Sequence, residues 1–183
     1  MNFNEFYQLV KKRFSCREFS SEKVPREMVE KFLRAGIEAP SGRNCKLLQF
    51  RIFDNPKKIT ELSTAVAEIK TKLGSPIFRP ENFDPIFYAA PVVVFIGADR
   101  KSPSEWKMSD ACFAAQNIFL AAAAADFATV AIGSARYFEK FPEIKARFFS
   151  TDFEILLAFS LGRPAGDLKQ KAPRRDLQVF WEN

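Results

Sequence analysis

Histidine is missing altogether. That absence excludes Ser-His-Asp and Cys-His catalysis, His-ligated zinc and a histidine general base, and no metal site is expected. Cysteine is scarce: Cys16, Cys45 and Cys112 form no CxxC pair and are odd in number. They read as free thiols of a reducing cytosol, which predicts a cytoplasmic protein without a disulfide frame. Long apolar runs are also lacking. Residues 86–98 are apolar but too short to span a bilayer, and Gln116, Asn117 and Asp126 interrupt the stretch 111–133. The latter reads as a buried helix followed by a strand. The opening segment MNFNEFYQLVKKRFS has no apolar h-region of a signal peptide. No membrane partner is therefore expected. There are no repeats and no low-complexity linker, and 183 residues suit one domain spanning 1–183.

What is present is apolar and basic. Apolar residues make up 47%, enough for a real core. Phenylalanine numbers 21, against 3 Tyr and 2 Trp. That excess suits a thick core, a large oligomer interface or a site for a flat ring, and composition does not choose among them. A net charge of +6 and a pI near 9.3 favour anionic partners such as phosphorylated cofactors. The basic residues are scattered rather than gathered into a stripe, which argues against a nucleic-acid partner.

Periodicity outlines the elements. Phe3, Phe6, Tyr7 and Val10 have helical spacing over 3–12. A second helix carries Met28, Val29, Phe32, Leu33 and Ile37, with Ser20 or Ser21 as its cap and Pro25 in its first turn, and it stops before Pro40. Residues 49–53 suit a strand and 56–72 a third helix. Residues 73–85, with three prolines and a glycine, read as a loop bordering a site. Phe78, Phe83 and Phe87 of this region could cover a bound ring, though core positions suit them better. Residues 91–98 are continuously apolar and β-branched, as in a central strand buried on both faces. The spacing predicts an Ala-rich core helix over 110–125, a strand over 129–133, a helix over 138–149 and a second central strand over 153–161. The basic tail ends in apolar Val179, Phe180 and Trp181, which would pack on their own domain or across a dimer.

Three segments could carry chemistry. Arg13, Ser15 and Arg17 alternate, so an extended chain puts them on one face, and two guanidiniums with a hydroxyl make a phosphate clamp. Taken alone, the segment suits a solvated turn after a helix better. Ala39-Pro40-Ser41-Gly42-Arg43-Asn44 combines a tight turn with polar side chains. A helix-ending loop without a ligand is the plainer reading. Lys171, Arg174 and Arg175 of the tail offer a second anion contact or simply a solvated basic arm.

Taken in order, these segments resemble the nitroreductase-like flavoprotein family. The first matches R-x-S-x-[RK]-x-[FY] at Arg13, Ser15, Arg17 and Phe19. A V-P-x-x-x-[LIV] helix opening follows at Val24-Pro25, then A-P-S-x-x-N at Ala39 to Asn44, L-G-x-P at Leu161 to Pro164, and a basic segment at Lys171, Arg174 and Arg175. The likeness covers nearly the whole chain. It implies an α+β fold around a central mixed sheet, and a homodimer with swapped terminal extensions and FMN at the interface. Arg13, Ser15 and Arg17 would hold the phosphate or the pyrimidine edge. Pro40, Ser41 and Asn44 would reach the flavin from the partner chain. Gly133 and Ser134 align with the segment whose backbone amide approaches the flavin N5, and Lys171 with Arg174 or Arg175 would close on the phosphate. The implied activity is ping-pong hydride transfer from NADH or NADPH to a small organic acceptor such as a nitroaromatic or a quinone, with no side-chain catalyst. The family often carries Q-P-W where this chain has Lys46-Leu47-Leu48, and G-L-G where it has Asp126-Phe127-Ala128. These departures rank Lys46 below Asn44 as a flavin contact. They also motivate an alternative, a flavin-binding protein of the same fold with little reductase activity.

Overall fold

The computed structural model describes residues 1–78, 83–166 and 177–182. Its elements are α1 (Phe3–Lys12), α2 (Arg26–Ile37), β1 (Gln49–Phe53), α3 (Pro56–Lys72), β2 (Val92–Asp99), α4 (Lys107–Ala124), β3 (Ala128–Ala131), a 3-10 helix (Gly133–Lys140), α5 (Pro142–Lys145) and β4 (Phe153–Gly162). The architecture is α+β. Four strands lie in the order β1-β2-β4-β3 and pair antiparallel throughout. Among the described residues, the mixed character expected of the sheet is confined to one isolated parallel bridge, between Ser15 and Thr129.

Helices cover both faces of the sheet. Val92, Val94 and Ile96 of β2 pack with Val29 and Phe32 of α2 and with Ala111, Ile118 and Phe119 of α4. Val93 and Phe95 face the other way, against Leu62 and Val66 of α3 and Phe138 and Phe149. This is why β2 reads as an unbroken apolar run rather than an alternating one. The β2–β4 register shifts between Ile96 and Gly97, where Leu157 and then Ile155 are the partners, so Leu156 is the extra residue of a bulge. The bulge flips the side-chain parity of β4: Ile155 and Ala158 share one core, Leu156 and Phe159 the other.

Much of the phenylalanine excess lies in the core on the Val93 and Phe95 side of the sheet. Phe95 is fully buried and makes ring contacts with Phe53, Phe87, Phe138 and Phe149. Phe87 is thus a core residue, whereas Phe78 and Phe83 are exposed. The intervening part of the expected loop, Arg79 to Asn82, lies outside the described residues.

Three element boundaries depart from the sequence reading. Pro25, not Ser20 or Ser21, occupies the cap position of α2, and no side chain caps it. A residue before proline is held extended, so the helix cannot start earlier. The helix expected over 138–149 is broken into the 3-10 helix and the single turn α5. Pro142 between them has no N–H to continue the ladder. Helix α4 starts three residues earlier than expected, at Lys107.

One helix has no core of its own. Helix α1 buries none of its residues, and Phe3, Phe6 and Tyr7 stand exposed on its apolar stripe. Phe113 of α4 is half exposed, and Leu177, Val179, Phe180 and Trp181 of the tail are exposed as well. Among the described residues, Leu177, Phe180 and Trp181 therefore find no core to enter.

Candidate functional site

Residues 13–19 leave α1 as an extended strip along the edge of the sheet. The Cys16 N–H donates to the Thr129 carbonyl (3.1 Å), and Phe19 bridges Pro164. Cys16 and Phe19, three residues apart, enter the core, while Ser15, Arg17 and Glu18 are exposed and Arg13 is half-buried, so the alternation does not run through Phe19. The strip pairs with β3 at Ser15, and Ser15 and Arg17 are both exposed on it.

Arg13 lines a cavity of about 230 Å³ together with Lys12, Phe14, Phe119, Ala123 and Thr129. The Thr129 residue is 1% exposed, and its hydroxyl oxygen has no hydrogen-bond partner among the described residues. Such an orphaned hydroxyl is costly unless something else satisfies it. On the rim, the Lys12 ammonium pairs with Asp126 at 2.7 Å and holds that carboxyl below its usual range. Arg163 sits over the Phe127 ring, 4.4 Å from its centroid, and pairs with Glu22. Lys12 and Arg163 thus make a basic-faced corner around Asp126 and Phe127; Asp126, which stands where the family often has a glycine, adopts a left-handed φ of 61° there.

The Pro40–Asn44 loop is held at the other end of α4. Asp110 is 3% exposed, and its carboxylate accepts the Gly42 N–H at 3.0 Å. The Ser41 hydroxyl accepts the Lys46 N–H at 3.2 Å. Gly42 rests on the indole of Trp106, so close that a Cβ there would lie 2.5 Å from the ring. Only glycine fits. Arg43, Asn44 and Lys46 all adopt left-handed φ, between 49° and 56°. Three strained non-glycine residues in one short loop, each costing on the order of 1 kcal/mol or more, persist only because Asp110 and Trp106 pin the turn. Pro40 and Asn44 are exposed on it and Ser41 is half-buried.

Gly133 opens the 3-10 helix directly after β3, and a Cβ built there meets nothing within 4 Å. Open space beside an exposed backbone would admit a flat ring. Ser134 follows, half-buried. Lys171, Arg174 and Arg175 lie outside the described residues.

The chain does not bring all of these residues together. The Arg13 cavity takes Phe119 and Ala123 from the C-terminal part of α4, whereas the Pro40–Asn44 loop hangs from Asp110 near its start. Nine to thirteen residues at 1.5 Å each place those anchors about 14–20 Å apart along one helix.

A family model for the Nitroreductase family matches residues 10–163. The chain belongs to the nitroreductase family. A nitroreductase with bound FMN from Bacteroides fragilis shares 23% identity and a TM-score of 0.80, with 98% of this chain and 100% of that one covered. An iodotyrosine deiodinase bound to FMN and 3-iodo-L-tyrosine gives a TM-score of 0.76 at 22% identity, over 97% of this chain and 99% of that one. Iodotyrosine deiodinase 1 of Mus musculus is 39% identical over 72 residues, which is 38% of this chain and 25% of the relative. The match thus spans about a quarter of that curated relative's length.

The nitroreductase fold accounts for the shape of the site, and the residues present fit a flavin mononucleotide on their own chemistry. Lys12 and Arg13, cations suited to a phosphate, line the same cavity as the orphaned hydroxyl of Thr129. Sequence reasoning missed Thr129, Asp110 and Trp106. Asp110 did carry a signal, as the one acidic residue of a mostly apolar helix. Thr129 carried none, because its unsatisfied state appears only once the strip 13–19 has docked.

Proposed function

We propose that this nitroreductase-family chain is one FMN-binding unit that works as a homodimer in the cytoplasm and reduces small organic acceptors with NADH or NADPH by ping-pong hydride transfer. The separation of the two polar clusters along α4 carries this reading. The two clusters lie toward opposite ends of α4, and a two-fold interface can close both on a single flavin by setting the start of one α4 against the end of the other. The unpartnered stripe of α1, Phe113 and the exposed tail anchors supply apolar surface for such an interface and for terminal extensions that cross it.

In this arrangement Arg13, Ser15 and Arg17 hold the phosphate or the pyrimidine edge of FMN. Lys171, with Arg174 or Arg175, closes on the phosphate. Pro40, Ser41 and Asn44 reach over from the partner chain, and the backbone at Gly133 and Ser134 faces the ring near N5. When bound, FMN supplies the hydride chemistry, taking two electrons from the nicotinamide and passing them to the acceptor. Everything else falls to this chain. Its cations stabilise negative charge as it develops, its apolar walls exclude water, and protons come from solvent because no histidine is present. Three free thiols suit a reducing compartment. No described helix is long and apolar enough to cross a membrane.

A second reading is a flavin-binding protein with little reductase activity. It is favoured by Lys46-Leu47-Leu48 and Asp126-Phe127-Ala128, and by the likeness to deiodinases, whose acceptors differ. An absorption spectrum of the purified protein with added FMN, followed by anaerobic NADH or NADPH, separates the readings. Bands that bleach establish the reductase, bands that persist favour the second reading, and no uptake of FMN removes both. Arg13→Ala should weaken FMN retention about 10- to 100-fold, the value of a charge-assisted hydrogen bond, with an unchanged circular dichroism spectrum. Unchanged retention would count against the clamp.

A further inference from the structure

Among the described residues, Asp110 is the one buried carboxylate. Burying a charge is costly unless it is well hydrogen-bonded. Complementing the N-terminal dipole of α4 does not require burial, because an exposed acid in the first turn does the same. What burial provides is aim. The carboxylate reaches off its own helix to accept the N–H of Gly42, 68 residues away in the chain, at 3.0 Å. A second brace acts on the same glycine. Gly42 rests on the Trp106 indole, and the Trp106 backbone N–H donates to the Ser104 hydroxyl at 3.2 Å.

The braced turn presents its polar edge outward. Arg43, Asn44 and Lys46 hold left-handed φ, and Pro40 and Asn44 are exposed. Strained backbone fixed by a buried group is the form a preorganised contact takes. Within its own chain the turn stands away from the Arg13 cavity, whose α4 walls are Phe119 and Ala123.

We infer that Asp110 is a positioning residue that acts across the subunit interface: the carboxylate of one chain holds the Pro40–Asn44 turn in the shape required by the flavin at the partner's Arg13 cluster. The inference rests on the homodimeric FMN reading above and deepens it. Asp110 touches neither flavin nor acceptor. It fixes the turn beforehand, so that FMN does not bear the cost of ordering it. Each flavin then depends on Arg13 of one chain and Asp110 of the other.

The test is complementation, read by FMN binding rather than turnover. As homodimers, Asp110→Ala and Arg13→Ala should each weaken FMN binding about tenfold or more, measured by quenching of flavin fluorescence. Asp110→Asn keeps an acceptor for the Gly42 N–H and should recover most of the loss. The two alanine variants are then co-expressed with different affinity tags, and the mixed dimer is isolated through both. If Asp110 acts across the interface, one site of the mixed dimer joins an intact Arg13 to an intact Asp110. That dimer should bind half an equivalent of FMN per chain with wild-type affinity. If Asp110 acts within its own chain, both sites carry one defect and no tight site is left, which overturns the inference. Gly42→Ala displaces the same turn, because its Cβ would lie 2.5 Å from the indole, and it takes the place of Asp110→Ala should that variant not fold. Full FMN retention in Asp110→Ala, or an asparagine variant as weak as the alanine one, also overturns the inference and leaves the flavin reading standing. A wild-type protein that takes up no FMN, or an Arg13→Ala variant that retains it fully, sinks the flavin reading itself.

Discussion

Glu139→Gln should destabilise the chain by about 2–4 kcal/mol at neutral pH. Lys145 is 4% exposed, and its ammonium pairs with Glu139 at 2.8 Å while donating to the Phe153 carbonyl. Glu139 also accepts the Ile155 N–H at 2.7 Å and pairs with Arg100. The substitution keeps the shape and an acceptor for Ile155, so what is lost is the charge facing a buried ammonium. Breaking a buried pair typically costs about 3–5 kcal/mol, and the figure is reduced here because the Glu139 side chain keeps 22% of its exposure. Urea unfolding followed by far-UV circular dichroism measures it, at one protein concentration because a dimer's stability depends on it. Adding Lys145→Met should recover much of the loss, since the orphaned charge is then gone. The pH dependence has a definite sign. Burial pushes the Glu139 carboxyl up, but Lys145, the Ile155 N–H and Arg100 outweigh it and hold the group below its usual range. The stabilisation is therefore complete above the unfolded carboxylate value, about pH 4.3, and is lost as pH falls through the lower folded value. The gap between wild type and variant should close in that acid window. A loss under 1 kcal/mol, a gap independent of pH, or a double variant as unstable as the sum of its parts would refute the reasoning.

Two further outcomes test the interface and the sheet. Phe113→Asp places a charge on the exposed face of α4 and should shift the chain from dimer to monomer, read by light scattering on a sizing column, with the circular dichroism spectrum unchanged. An unaltered dimer would move the interface elsewhere. Gly97→Ala should cost about 1–3 kcal/mol or more, because the added Cβ would lie 2.3 Å from the Glu154 carbonyl and 2.4 Å from the Phe153 ring at the bulge. A midpoint within error of wild type in thermal or urea unfolding would show that the bulge can relax.

The elements most legible in the sequence were those whose pattern and punctuation agree. Helix α3 spans 56–72 as expected, because Asn55 caps it by accepting the Lys57 and Lys58 N–H groups and Pro56 suits its first turn. Strands β1, β2 and β4 stand within a residue of expectation, since runs of β-branched and aromatic residues end at turn residues. Apolar periodicity failed at 138–149, where Pro142 overrides it, and at α2, where serines suggested a cap that Pro25 forbids. Pairing was less legible still. The β4 bulge depends on Gly97 accepting a carbonyl and a ring where no Cβ fits, a long-range constraint no local window contains.

The site was legible as segments but not as an arrangement. The expected extended segment after α1 is there, held by the bridge between Ser15 and Thr129, but burial at both Cys16 and Phe19 breaks the alternation expected of it. Proximity in sequence says nothing about the helix that separates this strip from the Asn44 loop. Only the fold shows that the two hang from opposite ends of α4. That separation changes the meaning of features that look like defects in one chain: an apolar α1 with no core, exposed Phe113, and tail anchors left in solvent. Exposed apolar surface on this scale is a liability for a lone chain. It becomes consistent with the polar clusters under a single condition, that a second copy covers the apolar surface and in the same step brings its own loop to the Arg13 cavity. Dimerisation and cofactor binding would then be one equilibrium seen twice. Loss of the interface should lower FMN affinity even where every residue proposed to hold the flavin is intact.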